Sequence, residues 1–389
     1  MCARSILVMI LPLVTSVNRL WNGSYSVSSA ASRMMRSGST AGGPHPNAST
    51  RRATIADVAR AAGTSPALVS RLLTGNQRVS EGSAARIREA IDRLGYVPNV
   101  TARNLRLRRT GLIALVVPYL DNPLYSLHAT GAERELAAAG FLTVVCATRT
   151  KPDGSYPGRS FFDTLGAGRV DGALIFPYQD EVANLDALRA RGTPIVLIDR
   201  VPALPDGFAP FDSVSVDNEG AIYNATSRLI EAGHRRIGLV SLRAGSLSGI
   251  PRLRGYKNAL QDAGIELNTD LVALGDGSDL GGASLFVKLL DSDCRPDAIV
   301  VATTLQTRGA LEVVRRRGLH IPRDLALIGY SHHQSVLWPE VPTFRYPGEA
   351  LGEVAACMLL RRLSGNEVGD ILSETLALEF VSSNPELMC

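Results

Sequence analysis

Apolar runs alternate with amphipathic stretches along residues 111–389, and this alternation most limits the folds open to the chain. The apolar runs have the length of buried β-strands, and the stretches between many of them carry apolar residues at helical spacing. Alternating strands and helices form parallel sheets covered by helices on both faces. A region of this length exceeds one small unit of that kind, so we expect two lobes. Ligands of such sheets bind beyond the carboxyl ends of the strands.

The pattern predicts the positions of individual elements in this region. Strands are expected at 112–117, 142–146, 172–176, 195–199, 214–216, 237–240, 298–301 and 325–328. Helices are expected between many of them, including 125–139, 219–232, 252–263 and 305–317.

A different pattern lies upstream, where residues 54–75 read TIADVARAAGTSPALVSRLLTG. Thr54 is expected to cap a first helix, with Asp57 as its capping-box partner. Gly63 supplies a turn, Ser65 caps a second helix, and Pro66 occupies the first helical position, where its missing N–H costs nothing. Two short helices joined by a tight turn with glycine form a helix-turn-helix. A third helix should follow, capped by Ser83 and ended by Gly95.

The second helix of such a unit lies in the DNA major groove. Its exposed residues should be Pro66, Ala67, Ser70 and Arg71. An arginine can make two hydrogen bonds to guanine, worth about 1–3 kcal/mol of discrimination. Pro66 and Ala67 can offer only apolar contacts, for example to a thymine methyl group. The sequence therefore predicts base reading centred on Arg71.

The charge of residues 51–110, unlike that of the rest of the chain, indicates a nucleic-acid partner. Residues 51–110 hold twelve arginines, no lysine and four acidic residues, whereas the whole chain has a net charge of only +4. A basic segment joined to an acidic body indicates a polyanion as the partner of that segment.

The runs ATIADVARAAGTSPALVSRLLTG and RVSEGSAARIREAIDRLGYVPNVTARNLR resemble the N-terminal part of the lac-repressor (LacI/GalR) family of bacterial transcription regulators. The resemblance implies that 99–107 is a hinge helix that enters the minor groove of operator DNA beside its copy from a second subunit. Leu105 occupies the position that wedges into the central base step, which bends the duplex at a cost of a few kcal/mol. The residues so assigned to DNA contact are Thr54, Ser65, Pro66, Ala67, Ser70, Arg71, Asn99, Ala102, Arg103, Leu105 and Arg106.

The resemblance continues through VVPYLDNPLY, RVDGALIFP, PIVLIDR, VSVDNEGA, EAGHRRIGLVS, RLRGYKNAL and GLHIPRDLALIGY to about residue 365. It implies a two-lobed, periplasmic-binding-protein-like (type I) body that forms a homodimer and closes on a small effector. Leu124 and Tyr125 are expected to contact that effector, Tyr178 to stack on a ring, and Arg252 to grip hydroxyl, carboxylate or phosphate groups.

Two departures from the family bear on the effector. Thr303 and Thr304 stand where the family usually has Asn-Asp, and Ser331 stands where it usually has aspartate. These changes remove acceptor charge from the expected cleft, which favours an anionic effector on Arg252, Thr304 and Ser331 over a neutral hexose held by acidic residues. A sugar effector stays open, as does a regulator that needs no effector.

These observations predict a small all-α helix-turn-helix domain followed by a two-lobed α/β domain. The expected boundaries are an N-terminal extension at 1–52, either disordered or preceding the true start, the helix-turn-helix at 53–98, the hinge at 99–110 and the effector domain at 111–389. No catalytic or metal-binding motif and no cofactor loop is recognised, so an enzyme is not expected. The apolar run 6–14 leaves an exported binding protein as the alternative, whereas a DNA-binding unit and five cysteines without a C-x-x-C motif favour the cytoplasm.

Overall fold

A computed structural model describes residues 53–73, 79–97, 109–118, 120, 122–148, 159–177, 182–204, 206, 209–331, 341–365 and 369–382. The chain divides into two compact units, with the boundary between Arg108 and Arg109. The described part of the first unit is a helical domain at 53–97, and that of the second is an α/β domain at 109–382.

Three helices make up the described part of the first unit: α1 (Ile55–Ala61), α2 (Pro66–Leu73) and α3 (Glu81–Leu94). The predicted capping box is present, because the Thr54 hydroxyl accepts from the Asp57 amide at 3.3 Å and Asp57 Oδ2 accepts from the Thr54 amide at 3.0 Å. Fully buried Val58 on α1, Val69 on α2 and Ile87 on α3 share one small core. Each helix is too short to be stable alone, so this shared core holds the unit together.

The turns of this unit follow the sequence prediction at three points and depart from it at one. Gly63 adopts a positive φ of 62°, the Ser65 hydroxyl accepts from the Leu68 amide at 3.3 Å, and Gly95 ends α3 in the left-handed region. The predicted cap at Ser83 was wrong, because α3 begins at Glu81 and Ser80 occupies the N-cap position. Ser83 instead bonds through its hydroxyl to that of Ser80 at 3.0 Å.

The second unit contains two six-stranded sheets, each in its own lobe. The N lobe holds β1 (Leu112–Val117), β2 (Leu142–Ala147), β3 (Gly172–Ile175), β4 (Ile195–Asp199), β5 (Asp212–Val216) and β11 (Ser373–Leu376). Its helices are α4 (Pro123–Ala138), α5 (Arg159–Leu165), α6 (Val182–Ala190) and α11 (Gly348–Ser364). The strands are all parallel, in the order β11-β5-β4-β3-β1-β2. One apolar cluster packs α4 and α11 on one face, and a second packs α5 and α6 on the other.

The C lobe repeats this plan. Its strands are β6 (Ile237–Leu242), β7 (Val272–Gly275), β8 (Ala298–Val301), β9 (Ala326–Ser331), β10 (Thr343–Arg345) and β12 (Glu379–Val381). Its helices are α7 (Asn218–Glu231), α8 (Gly249–Asp262), α9 (Asp279–Leu290) and α10 (Thr304–Arg317). The order is β12-β10-β9-β8-β6-β7, parallel except that β12 runs antiparallel to β10. Helices α7 and α8 cover one face of this sheet, and α9 and α10 cover the other.

All eight predicted strands and all four predicted helices of this unit are present, with ends that shift by three residues or fewer. The short strands β7, β10, β11 and β12 were not predicted from the sequence, because they are only partly buried and lack a continuous apolar run, unlike the equally short β3 and β8.

The described chain passes between the lobes at Asp217, at 346–347 and at 377–378. Residues from both lobes therefore meet at these crossings, and the carboxyl ends of the parallel strands open on the space between the two sheets.

Candidate functional site

A cleft that is partly open to solvent lies between the two lobes. The N lobe and the crossing segment contribute Asn122, Leu124, Asp199, Arg200 and Tyr346 to its lining. The C lobe contributes Leu242, Ser248, Arg252, Gly277, Thr303, Thr304, Leu305 and Tyr330. Its position at strand ends and its mixed polar and apolar walls are those of a small-molecule site.

Asp199 is the acidic residue that lines this cleft in the described part of the chain. It ends β4 with a φ of 70°, a backbone conformation that is uncommon outside glycine. Its side chain is buried, with Oδ1 accepting from the Tyr346 hydroxyl at 2.5 Å and Oδ2 accepting from Arg200 Nε at 3.1 Å. Strained backbone and a fixed carboxylate at a cleft wall are typical of a functional position.

His128 lies behind Asp199, in the interior of the N lobe. Its ring is fully buried and packs edge-on against Phe176 at 4.7 Å between centroids. Nδ1 lies 2.6 Å from the Leu124 carbonyl oxygen, and Nε2 lies 3.4 Å from the Tyr346 hydroxyl. Burial lowers the pKa of His128 to about 4, although the Asp199 carboxylate partly opposes this shift. The ring is therefore neutral near pH 7.

Arg252 dominates the opposite wall. It lies in α8 and is buried, and its Nε donates to Asn218 Oδ1 at 2.9 Å. Its guanidinium carbon lies 5.4 Å from the ring centroid of Tyr330, whose pKa is raised by burial to about 12. A planar guanidinium fixed by a neutral amide and an aromatic face can bind oxygen acceptors in the cleft.

Neutral hydroxyls complete the C-lobe wall. Thr303 caps α10, because its hydroxyl accepts from the Gln306 amide at 3.1 Å, and Thr304 follows as the first helical residue. Gln306 donates to the Ser241 and Asp276 carbonyl oxygens at 3.1 and 2.8 Å, which ties the start of α10 to the ends of β6 and β7. The buried Ser248 hydroxyl has no hydrogen-bond partner within the described residues, so it is available to a ligand.

The structure brings together only some of the predicted effector contacts. Leu124, Arg252 and Thr304 line the cleft. Tyr125 and Ser331 are buried and do not belong to the lining; the Tyr125 ring packs 5.0 Å from that of Phe176 in the N-lobe core. Tyr178 lies outside the described residues.

Sequence reasoning missed Asn122, Asp199, Arg200, Ser248 and Tyr346. Asp199 and Arg200 had a usable signal, because they directly follow the buried run PIVLI at a strand end. Tyr346 had none, since it reaches the cleft only because the chain crosses between lobes there. Asp199 also corrects the expectation about charge: the departures at Thr304 and Ser331 stand, but the cleft retains a carboxylate.

In the helical unit, α2 presents Pro66, Ala67 and Arg71 to solvent, and Ser70 is half-buried. Thr54 and Ser65 are exposed and serve as helix caps. The other five residues assigned to DNA contact lie outside the described residues: Asn99, Ala102, Arg103, Leu105 and Arg106. Three of the four α2 residues that were expected to be exposed are therefore exposed, and Ser70 is not.

Two sequence families match this chain. The family described as periplasmic binding proteins and sugar binding domain of LacI family matches residues 110–378, and the lacI family of bacterial regulatory proteins matches residues 54–99. The chain belongs to the LacI family. This assignment confirms the resemblance, the helix-turn-helix and the two-lobed α/β fold inferred from the sequence, and makes the chain a member of a family of DNA-binding transcription regulators with an effector-binding domain.

Two relatives of this chain are transcription regulators that share about a third of its residues. The chain is 33% identical to the HTH-type transcriptional regulator CelR of Thermobifida fusca, covering 81% of this chain and 93% of the relative. It is 31% identical to the ribose operon repressor of Escherichia coli (strain K12), covering 80% and 93%.

Solved structures agree on the fold. A transcriptional regulator CelR–cellobiose complex is 31% identical with a TM-score of 0.62, covering 85% of this chain and 99% of that one. The lac repressor dimer bound to operator and the anti-inducer ONPF has a TM-score of 0.74 over 85% of this chain and 98% of that one. At 23% identity, the second likeness concerns the fold alone.

The described residues contain neither a membrane-crossing helix nor a cluster of metal-binding side chains. No helix among them is both long and apolar enough to cross a membrane. No group of three or more histidine, cysteine, aspartate or glutamate side chains among them is arranged to hold a metal ion.

Proposed function

We propose that this LacI-family protein is a cytoplasmic repressor that binds a pseudo-palindromic operator as a homodimer and responds to a small effector in the interlobe cleft. The observation that carries the proposal is the exposed face of α2. Arg71, Pro66 and Ala67 stand on the solvent side of a helix whose other side is anchored by Val69 in the core. An exposed arginine on a recognition helix reads guanine in the major groove.

The hinge segment supplies the second half of the proposed DNA contact. Leu105 from each subunit would enter the minor groove at the centre of the operator and bend it. Arg103 and Arg106 would neutralise phosphates, so affinity should fall steeply with salt. A dimer follows from this arrangement, because two helix-turn-helix units would read the two halves of a two-fold operator.

The test is fluorescence anisotropy of the full chain on operator DNA selected from a random pool. Tight, salt-sensitive binding to a two-fold site is expected. Arg71→Ala should lose about 1–3 kcal/mol of discrimination at one guanine per half-site, and Leu105→Ala should weaken binding at the central step. Arg308→Ala, which removes an exposed arginine on α10, is the matched control and should leave affinity unchanged. A folded dimer without site-selective binding at any salt would overturn the proposal.

The effector that suits the cleft carries both hydrogen-bond donors and oxygen acceptors. Asp199 accepts on the N-lobe wall, whereas Arg252 donates on the C-lobe wall and Thr304 and Ser248 add hydroxyls. A sugar, or a sugar derivative with a carboxylate or phosphate facing Arg252, satisfies both walls. CelR has been solved with cellobiose, which makes saccharides the first class to examine.

Isothermal titration calorimetry with matched pairs would identify the class: D-glucose against D-gluconate, D-ribose against D-ribose 5-phosphate, and cellobiose. Whichever compound binds, Arg252→Lys should weaken it about tenfold or more, because lysine keeps the charge but loses the planar fork. Unchanged affinity in Arg252→Lys would remove Arg252 from the site.

A further inference from the structure

Three side chains form a continuous hydrogen-bonded path from the cleft into the N lobe. Asp199 lies in the cleft wall, Tyr346 lies on the segment that joins β10 to α11 between the lobes, and His128 lies in α4. All three are buried, and His128 is separated from Tyr346 by 218 positions in sequence. The path therefore connects a ligand-facing wall, a lobe crossing and a core helix.

The protons on this path can be assigned from the donors and acceptors present. Nδ1 of His128 faces the Leu124 carbonyl oxygen, which only accepts, so Nδ1 carries the ring proton. Because the buried ring is neutral, Nε2 is a bare acceptor. Asp199 Oδ1 is also an acceptor, and the Tyr346 hydroxyl between them has a single proton. The Tyr346 hydroxyl is thus a single donor between two acceptors. Its distances of 2.5 Å to Asp199 and 3.4 Å to His128 show that its proton now points to Asp199.

The longer of the two contacts matters because His128 is buried. A buried polar atom with only a weak hydrogen bond costs free energy, so His128 Nε2 would gain a stronger one from the phenol proton whenever Asp199 released it. Of the two acceptors, only Asp199 lines the cleft, so only Asp199 can accept a hydrogen bond from a ligand.

We propose that the Tyr346 hydroxyl is a hydrogen-bond switch between Asp199 and His128, turned by an effector that donates a hydroxyl or ammonium hydrogen to Asp199. The inference rests on the proposed function, and it names the feature that the effector needs. When the ligand occupies Asp199 Oδ1, the O–H bond of Tyr346 rotates toward His128 Nε2 and no proton is transferred. Tyr346 and His128 are positioning residues that act through Asp199.

A change of hydrogen-bond partner at Tyr346 affects both the crossing between the lobes and helix α4. Tyr346 belongs to a crossing between the lobes, and its backbone amide donates to the Ser331 carbonyl oxygen of β9 at 2.8 Å. His128 is one turn along α4 from Leu124, which lines the cleft and accepts from the ring. A change of partner at Tyr346 therefore alters the contact between the lobe crossing and α4 at the moment the cleft is filled.

The switch can be turned without a ligand by deleting the Asp199 carboxylate. Asp199→Gly suits the backbone, because glycine adopts a φ of 70° without strain. In the full chain labelled with ¹⁵N-histidine, the Nε2 resonance of His128, assigned with His128→Leu, should move upfield in Asp199→Gly as it accepts the phenol proton. It should return to the wild-type position in Asp199→Gly/Tyr346→Phe. The exposed His320 supplies an internal reference that should not move.

An Nε2 resonance that stays in place in Asp199→Gly, or that moves equally in the double variant, would overturn the switch. Neither result depends on DNA, so the switch can fail while operator binding holds, and operator binding can fail while the switch holds.

Operator affinity measures whether the switch is coupled to DNA binding. Asp199→Gly should change the dissociation constant by about fivefold or more, the usual size of a coupling between sites. Adding Tyr346→Phe should abolish that change. Adding Tyr256→Phe, which removes another buried hydroxyl that donates to a carbonyl at 2.7 Å, should not. Equal effects of the two tyrosine variants would contradict the coupling.

Discussion

The sheets of the two lobes have the same strand order, but different interactions hold the edge strands β11 and β12 in place. In the N lobe, β11 lies parallel to β5, and Arg362 of α11 makes two hydrogen bonds to Asp212 at 2.7 and 2.8 Å. The side chains of this pair are only 15% and 6% exposed. In the C lobe, β12 lies antiparallel to β10, and the Phe344 and Phe380 rings pack 5.2 Å apart. The ion pair at that edge, Arg345–Glu379, is partly exposed, with side-chain exposures of 34% and 66%.

The two lobes therefore have the same topology but stabilise it by different interactions. The Asp212 carboxylate also accepts from the Leu372 amide at 2.9 Å, so one buried charge holds α11, β5 and the chain entering β11. At the C-lobe edge, the Arg228 guanidinium lies 4.1 Å from the Phe380 ring centroid, so aromatic contacts replace the buried pair. Equivalent edges should therefore respond very differently to loss of an arginine.

Arg362→Ala should have the largest effect on stability. It leaves the Asp212 carboxylate buried without its cation, which costs about 3–5 kcal/mol. Urea unfolding monitored by circular dichroism would measure the loss. Arg345→Ala at the equivalent C-lobe edge is the control and should cost less than about 1 kcal/mol, since exposed pairs contribute little. Similar losses at the two edges would break the comparison.

Buried His128 of the N lobe should make the stability of the protein depend on pH. His128 is buried with its pKa lowered to about 4, against an unfolded value near 6.5. Below pH 6.5 the unfolded chain binds a proton that the folded protein excludes, so stability should fall by about 1.4 kcal/mol per pH unit until pH 4. His128→Leu should remove this contribution from the pH dependence of unfolding between pH 7 and 5.

A His128→Leu variant whose stability still falls as steeply as that of the wild type between pH 7 and 5 would contradict this prediction.

Phe380→Leu should produce the smallest effect of the three. The substitution keeps an apolar side chain but loses the ring contacts with Phe344 and Arg228, together worth about 1 kcal/mol. The same unfolding assay would detect it. A loss as large as that of Arg362→Ala would mean that aromatic packing equals the buried pair in importance.

Local features were predictable from the sequence. The capping box at Thr54 and the first-turn proline at Pro66 act within one helical turn, so adjacent residues suffice to define them. The apolar strands of both sheets were also predictable, since burial on two faces demands a continuous apolar run. The start of α3 was wrongly assigned to a cap at Ser83, because Ser80, three positions earlier, offers the same local signal.

The candidate site was predictable only where a residue lies close to a strand end or helix start. Leu124, Arg252 and Thr304 met that condition and line the cleft. Tyr125 met it too, but its side chain packs into the core, because the rotation of α4 is set by contacts with the sheet and α11.

The sequence by itself determined the family, the helix-turn-helix and the alternation of strands and helices, because each follows from periodicity or from motifs of adjacent residues. Only the tertiary structure decided that Asp199, Tyr346 and His128 meet, and that Arg362 reaches Asp212 across 150 positions. Contacts of this range depend on how the chain crosses between lobes and on how its helices are rotated against the sheets. Neither quantity has a local signature, since both are settled by packing of the whole core.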